Sequence, residues 1–426
     1  MTAAASMRAH RSGRREPPLP PGEVAPVVLP RLFDRTHLVR AARAVLTLPV
    51  WLQALAVYLV SRLMALGIMA MVVRTQPDSP WTTGTRTSLN DFLNFWDGGW
   101  YRRIAEEGYP TALPVYETGE IAQNQWAFYP LHPLMVRDLS ALTGADFDTV
   151  APVLSTVMAA AAAIVILILF RSVTTHGRAL MGLALVLFFP ASPILSTAYA
   201  ESLALLLQAV VLLLIVRRQY LWAIGPVFLL ALSRPIGVAV AFFLLIHLIS
   251  RFRRRGTEPY PLREVLTSWT LGVLSCVAAL AHPLHAWIRT GSLTAYTDTE
   301  AAWHTGETHI LTQWVTAGER WLGPLSVVGL LVLVAGMIAL LVSPAGRTMG
   351  STMQQFCWGY GIYLLLFFTP QTSTLRLLLP LFPLALALAV SRSWAARTFV
   401  LSAFAVLQVV WVGWLWHFTP PGDLPP

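Results

Sequence analysis

Apolar residues run along this chain in long unbroken stretches, separated by short polar segments in which arginine dominates. A helix needs roughly 20 apolar residues to cross a hydrocarbon core, and backbone groups in lipid must pair within their own segment. The runs at 48–73, 151–170, 179–194, 200–216, 220–233, 236–250, 265–288, 324–343, 354–369, 376–391 and 397–417 therefore predict a bundle of about eleven spans. Stretches such as 158–170 and 203–216 do not alternate, which excludes the pattern of a membrane barrel. The segment 220–250 is too long for one crossing. A turn at Ser233-Arg234-Pro235 makes it a pair of half-length helices, with Pro235 unable to continue the first.

Composition agrees: of 426 residues 56% are hydrophobic and 12% charged, against about 25% charged in ordinary soluble domains. The predicted fold class is all-α integral membrane, a polytopic helical bundle whose large outer loops bear interfacial helices. A membrane domain at 48–417 follows an Arg/Pro-rich segment at 1–47 and precedes a short tail at 418–426. The first apolar run begins too late for 1–47 to read as a cleaved signal peptide. All 30 basic residues are Arg, which points to a GC-rich coding genome. With the N-terminus in the cytoplasm and the C-terminus outside, 20 Arg fall in cytoplasmic segments and 8 on the other side, the asymmetry that orients membrane proteins. The net charge of +9 thus reflects topology, and no nucleic-acid partner is predicted. Cys276 and Cys357 lie inside spans and suggest neither a disulfide nor a metal site.

Polar chemistry gathers on the outer side, in loops 74–150 and 289–323 and at neighbouring span ends. The first loop contains Asn94-Phe95-Trp96-Asp97-Gly98-Gly99-Trp100-Tyr101. If this is one helix, Phe92, Trp96, Trp100 and Ile104 form an apolar stripe and Arg102, Arg103, Glu106 and Glu107 a polar flank. That suits a helix lying at the membrane interface. On spacing alone Asp97 is either a turn cap beside that stripe or a functional carboxylate. Tyr129 and His132 in Tyr129-Pro130-Leu131-His132-Pro133, Glu201, Arg234, Arg376, Trp303 and His304 are further candidates. Ionisable groups at membrane depth are costly and suggest function, although an Arg at a span end also snorkels to headgroups. Arg62, in the middle of the first run, reads as a structural partner of a carbonyl or an acid. Asp298-Thr299-Glu300 reads as a solvated acidic pair, with no metal-ligand spacing around it.

Several of these segments together resemble the PIG-V mannosyltransferase family. They are Trp96-Asp97-Gly98-Gly99-Trp100-Tyr101, Ala127-Phe128-Tyr129-Pro130-Leu131-His132-Pro133, Pro190-Ala191-Ser192-Pro193, Tyr199-Ala200-Glu201-Ser202, Ser233-Arg234 and Ala286-Trp287-Ile288-Arg289-Thr290-Gly291. The likeness extends over about 50–390, and its first block is the most specific. It implies a GT-C-type glycosyltransferase that uses a polyprenyl-phosphate-linked sugar, mannose in PIG-V-like enzymes, at the outer membrane face. It also implies that Asp97 matches the family's essential loop aspartate. The expected partners are that donor, a glycolipid or envelope acceptor, and membrane lipid; no cofactor or metal is expected. In the expected inverting displacement Asp97 acts as general base and Arg234 or Arg376 receives the phosphate. Trp96, Tyr101, Tyr129, His132, Glu201, Trp303 and His304 would surround the substrates. A transporter or lipid flippase and a non-catalytic scaffold are the alternatives from other classes.

Overall fold

The computed structural model describes residues 47–303, 311–391 and 393–419, without the side chains of Arg320 and Trp321. The segment 1–46 and the last residues of the predicted tail, 420–426, lie outside them. Among the described residues there is no strand, only an isolated bridge between Val115 and Ile121. The principal helices are α1 (Val50–Val72), α2 (Asp97–Glu107), α3 (Leu131–Thr143), α4 (Phe147–Arg171), α5 (His176–Leu187), α6 (Glu201–Val216) and α7 (Tyr220–Ser233). They continue as α8 (Gly237–Arg253), α9 (Leu262–Thr290), α10 (Ala295–Ala301), α11 (Ser326–Val342), α12 (Ser351–Phe367), α13 (Thr374–Leu377) and α14 (Trp394–Trp411).

Among the described residues five helical stretches are long and apolar enough to cross a membrane: Val50–Thr75, Phe147–Arg171, Leu262–Thr290, Gly323–Val342 and Trp394–Trp416. Their outward faces carry Leu59, Leu63, Leu266, Val273, Leu331 and Val332, all more than half exposed, as expected where lipid replaces water. The shorter helices α5, α6 and α7 fill the interior, where Leu183, Leu203, Leu212, Ala223 and Leu230 are buried. The chain is an all-α integral membrane protein; the expected count of eleven spans is not confirmed, the described residues holding these five long helices and several shorter apolar ones.

Two of the expected spans are interrupted, and proline is the reason. The run 376–391 is not one helix: α13 is followed by a 3-10 turn at Leu379–Leu381 and a short helix at Leu384–Leu388. Pro380 and Pro383 have no N–H to give to a continuing helix. The run 179–194 likewise stops at Leu187, ahead of Pro190 and Pro193. Carbonyls freed at such breaks need partners away from water. Arg62, from the middle of α1, donates to Ser192 O at 2.6 Å and Leu187 O at 3.0 Å. Gln408 of α14 reaches Phe188 O at 2.9 Å, and Gln208 of α6 reaches Pro380 O at 2.6 Å. Polar side chains inside three spans thus replace the hydrogen bonds that the broken helices lack.

The segment 220–250 turns as Pro235 requires, with α7 ending at Ser233 and α8 starting at Gly237. The far ends of this pair come together. Arg218 and Arg251 both meet Glu258 at 2.8 Å, and Arg251 Nε donates to Glu264 at 2.9 Å. The arginine clusters at the two ends therefore share one side.

The expected interfacial stripe is split. Leu89–Leu93 is its own short helix, closed by a reciprocal cap between Ser88 and Asp91. Trp96 then takes φ +60°, a value rare for a bulky residue, and helix α2 starts at Asp97. Phe92, Phe95 and Trp96 are buried among Trp81, Trp416 and Phe418, not laid on a lipid surface. The indole N–H of Trp96 donates to Trp416 O at 2.9 Å, which holds the kink.

Candidate functional site

Two helices begin with a carboxylate: α2 with Asp97 and α6 with Glu201. The positive end of a helix dipole favours an acid there. Two arginines come from breaks in the helical backbone. Arg234 extends the end of α7 with φ −158°, and Arg376 lies in the single turn of α13. These four form a chain of opposite charges. Arg376 Nη1 donates to Asp97 Oδ2 at 2.5 Å and lies 3.7 Å from Glu201 Oε1, which Arg234 also contacts. The Asp97 and Arg376 side chains are each 12% exposed and Glu201 3%, so these charges are largely removed from solvent and must neutralise one another.

Tyr199 supports both members of the first pair. Its hydroxyl accepts the backbone N–H of Asp97 at 3.0 Å, and its ring lies 5.4 Å from the guanidinium carbon of Arg376. The glycines after Asp97 allow close packing. A Cβ on Gly99 would stand 3.1 Å from the indole nitrogen of Trp81, and one on Gly98 would touch Ala198.

The four charges line one wall of a cavity of about 700 Å³. Tyr101, Tyr129, Tyr296, Glu300, Tyr360 and Tyr363 line other parts of it, while Ile236, Val238, Leu280 and Phe367 make an apolar portion. Burial pushes the hydroxyls of Tyr101, Tyr129 and Tyr296 up, so all three remain protonated hydrogen-bond donors near neutrality. Burial also raises the Glu300 carboxyl to about 7, with a hydrogen bond to Tyr296 opposing the shift. Among the described residues no three His, Cys, Asp or Glu side chains gather as a metal-ligand set.

Of the residues singled out in the sequence, Asp97, Tyr101, Tyr129, Glu201, Arg234 and Arg376 line this cavity. Trp96 does not; it anchors the kink before α2. His132 is fully buried behind the Tyr101 ring, 5.3 Å between centroids, and among the described residues neither ring nitrogen has a hydrogen-bond partner. Burial drives its pKa down to about 4, which leaves it neutral. Trp303 packs edge-on against Trp100 and Phe128 outside the cavity lining, and His304 lies outside the described residues.

Tyr296, Tyr360 and Tyr363 of the lining escaped the sequence reading, and so did the roles of Tyr199 and Glu300. Tyr199 drew notice only inside a motif, and nothing in its spacing marks a support for Asp97. Glu300 was read as solvated but lines the cavity, because its neighbour Thr299 is fully buried.

No protein-family model matches this chain, and no curated protein sequence does. Among solved structures it is similar to the oligosaccharyltransferase of Archaeoglobus fulgidus. The crystal structure of the complex with Zn and sulfate shares 14% identity over 85% of this chain and 54% of that one, with a TM-score of 0.48. The same organism's oligosaccharyltransferase AglB with an inhibitory peptide and a dolichol-phosphate gives 13%, 86%, 56% and 0.48. The apo form gives 13%, 85%, 57% and 0.47. The chain thus spans little more than half the length of the proteins it matches.

Proposed function

We propose that the chain is a GT-C-type membrane glycosyltransferase that moves mannose from a polyprenyl-phosphate donor to a lipid-anchored or envelope acceptor at the extracytoplasmic face. One observation carries this reading: a carboxylate and two guanidiniums share a cavity whose lining is charged in one part and apolar in another. A lipid phosphate ester asks for both properties at once. Its chain needs apolar surface, and its phosphate needs the planar donors of arginine.

In this reading the acceptor hydroxyl attacks the anomeric carbon in a single inverting displacement. Asp97 takes the hydroxyl proton as the new C–O bond forms. The bond from the anomeric carbon to the phosphate oxygen breaks, and the polyprenyl phosphate departs with the electron pair. Asp97 Oδ2 is engaged by Arg376, whereas among the described residues no hydrogen bond reaches Oδ1, which is the oxygen placed to accept the proton. General-base assistance is worth about 10²–10⁴-fold. Arg234 and Arg376 stabilise the charge that grows on the leaving phosphate, turning from Glu201 and Asp97 toward it.

The test is transfer of radiolabelled mannose from polyprenyl-phosphate mannose by the full-length protein in lipid vesicles. Asp97→Asn is expected to insert and fold but to lose about 10²-fold or more in turnover. Near-native turnover would remove Asp97 from the base role. Arg234→Ala and Arg376→Ala are expected to weaken donor use, and unchanged donor affinity and turnover in both would place the phosphate elsewhere.

A further inference from the structure

Glu300 faces the same cavity from a different wall, and its placement is built by cross-links far apart in sequence. Gly291, at φ +76°, ends α9 and turns the chain into α10. Thr299 on α10 is fully buried, and its hydroxyl receives the Asn124 side-chain amide at 3.0 Å. One turn earlier, the Tyr296 hydroxyl meets that of Tyr129 at 3.1 Å. These two ties dock α10 on the 124–129 loop and leave Glu300 facing the cavity. Tyr363 of α12 lines the same cavity.

The chemistry of this second wall is not that of a phosphate site. A carboxylate repels an anion, and among the described residues no arginine is paired with it. A carboxylate beside tyrosine hydroxyls accepts hydrogen bonds from neighbouring alcohols, and tyrosine rings cover the C–H faces of a sugar. We infer that Glu300, Tyr296 and Tyr129 form a hydroxyl-binding subsite for a pyranose ring, set apart from the arginine wall that takes the phosphate. This rests on the glycosyltransferase reading and extends it to the sugar end. The ring belongs either to the acceptor or to the donor's own sugar, and one experiment tells them apart.

Dicyclohexylcarbodiimide adds to protonated carboxyls in apolar surroundings, so the full-length protein in lipid nanodiscs is treated with it and the Glu300 adduct followed by peptide mass spectrometry. Saturating octyl α-mannopyranoside (sugar without phosphate) or polyprenyl-phosphate mannose is expected to slow the labelling about tenfold. Polyprenyl phosphate without sugar is expected not to. Protection by the mannoside assigns the subsite to the acceptor; protection by the mannosylated donor alone assigns it to the donor sugar. No protection by either sugar, or equal protection by the bare lipid phosphate, overturns the inference. Tyr296→Phe keeps the ring but loses the hydroxyl, and is expected to raise the concentration of the protecting sugar needed for half-protection about tenfold; no change would also overturn it. Mannose transfer by the unaltered protein is measured alongside. Absent transfer with intact sugar protection would fell the enzymatic reading and leave the subsite standing.

Discussion

Replacing Arg376 by Met and Asp97 by Asn, singly and together, tests whether the charge chain is wired as described. The two single changes do not leave equal damage. Without Arg376, no other cation among the described residues contacts Asp97, and Arg234 is engaged by Glu201. Without the Asp97 charge, Arg376 still has Glu201 at 3.7 Å. Breaking a buried pair by removing one partner costs about 3–5 kcal/mol when the other is left uncompensated. Arg376→Met is therefore expected to lose roughly that much, and Asp97→Asn about 1–2 kcal/mol, near the value of one charge-assisted hydrogen bond. The double variant is expected to be more stable than Arg376→Met alone, with a coupling of about 1–3 kcal/mol. Reversible unfolding in mixed micelles, followed by helical circular dichroism, measures all three. Equal single costs that add without coupling would refute the wiring.

Other consequences are checked more simply. Tyr199→Phe keeps the ring under Arg376 but leaves the Asp97 N–H without its acceptor; it is expected to cost about 1–2 kcal/mol in stability and to lower mannose transfer, and equal turnover would limit Tyr199 to packing. Gly359→Ala would drive a Cβ to 2.6 Å from the Phe243 backbone nitrogen where α12 crosses α8, so a loss of about 1–3 kcal/mol or more is expected on thermal melting. Gly361→Ala, whose Cβ would find only Met337 Cε at 3.9 Å, is the control and is expected to melt unchanged. The Glu300 carboxyl, raised to about 7 and faced by Tyr296, Tyr129 and Tyr363, stays protonated below that pH and ionises above it. Carbodiimide labelling is accordingly expected to fall by half near pH 7, and a midpoint below pH 5 would contradict its shielding.

The membrane architecture was legible because lipid permits few solutions: long apolar runs must be helices, and α1, α4, α9, α11 and α14 coincide with such runs. The break at Ser233-Arg234-Pro235 was legible because Pro235 has one physical meaning in a helix. The same logic, applied to Pro380 and Pro383, would have divided 376–391, but the strong apolar run there outweighed it. Asp97, Glu201, Arg234 and Arg376 stood out because charge at membrane depth is costly. Their partners did not, since Arg376 and Asp97 are 279 positions apart and no local pattern records the pairing. Aromatic density misled in the opposite direction. Trp96, His132 and Trp303 belong to residue types that serve burial as readily as substrate contact, and here they are buried or packed behind the lining. Glu300 was missed because an acidic pair in a loop looks solvated, and the ties of Thr299 to Asn124 and of Tyr296 to Tyr129, 175 and 167 residues away, turn it inward.

The stitching of broken helices by side chains from remote spans has a consequence for biogenesis. The carbonyl of Phe188 waits for Gln408, and the carboxylate of Asp97 waits for Arg376, so the earlier half of the chain enters the bilayer with its hydrogen-bonding debts open. A nascent chain halted before α13 would hold Asp97 without the guanidinium that it pairs with in the finished protein. Quality-control proteases would meet such a truncated product as an unfinished bundle, and the pocket would close only when the last third of the polypeptide arrives.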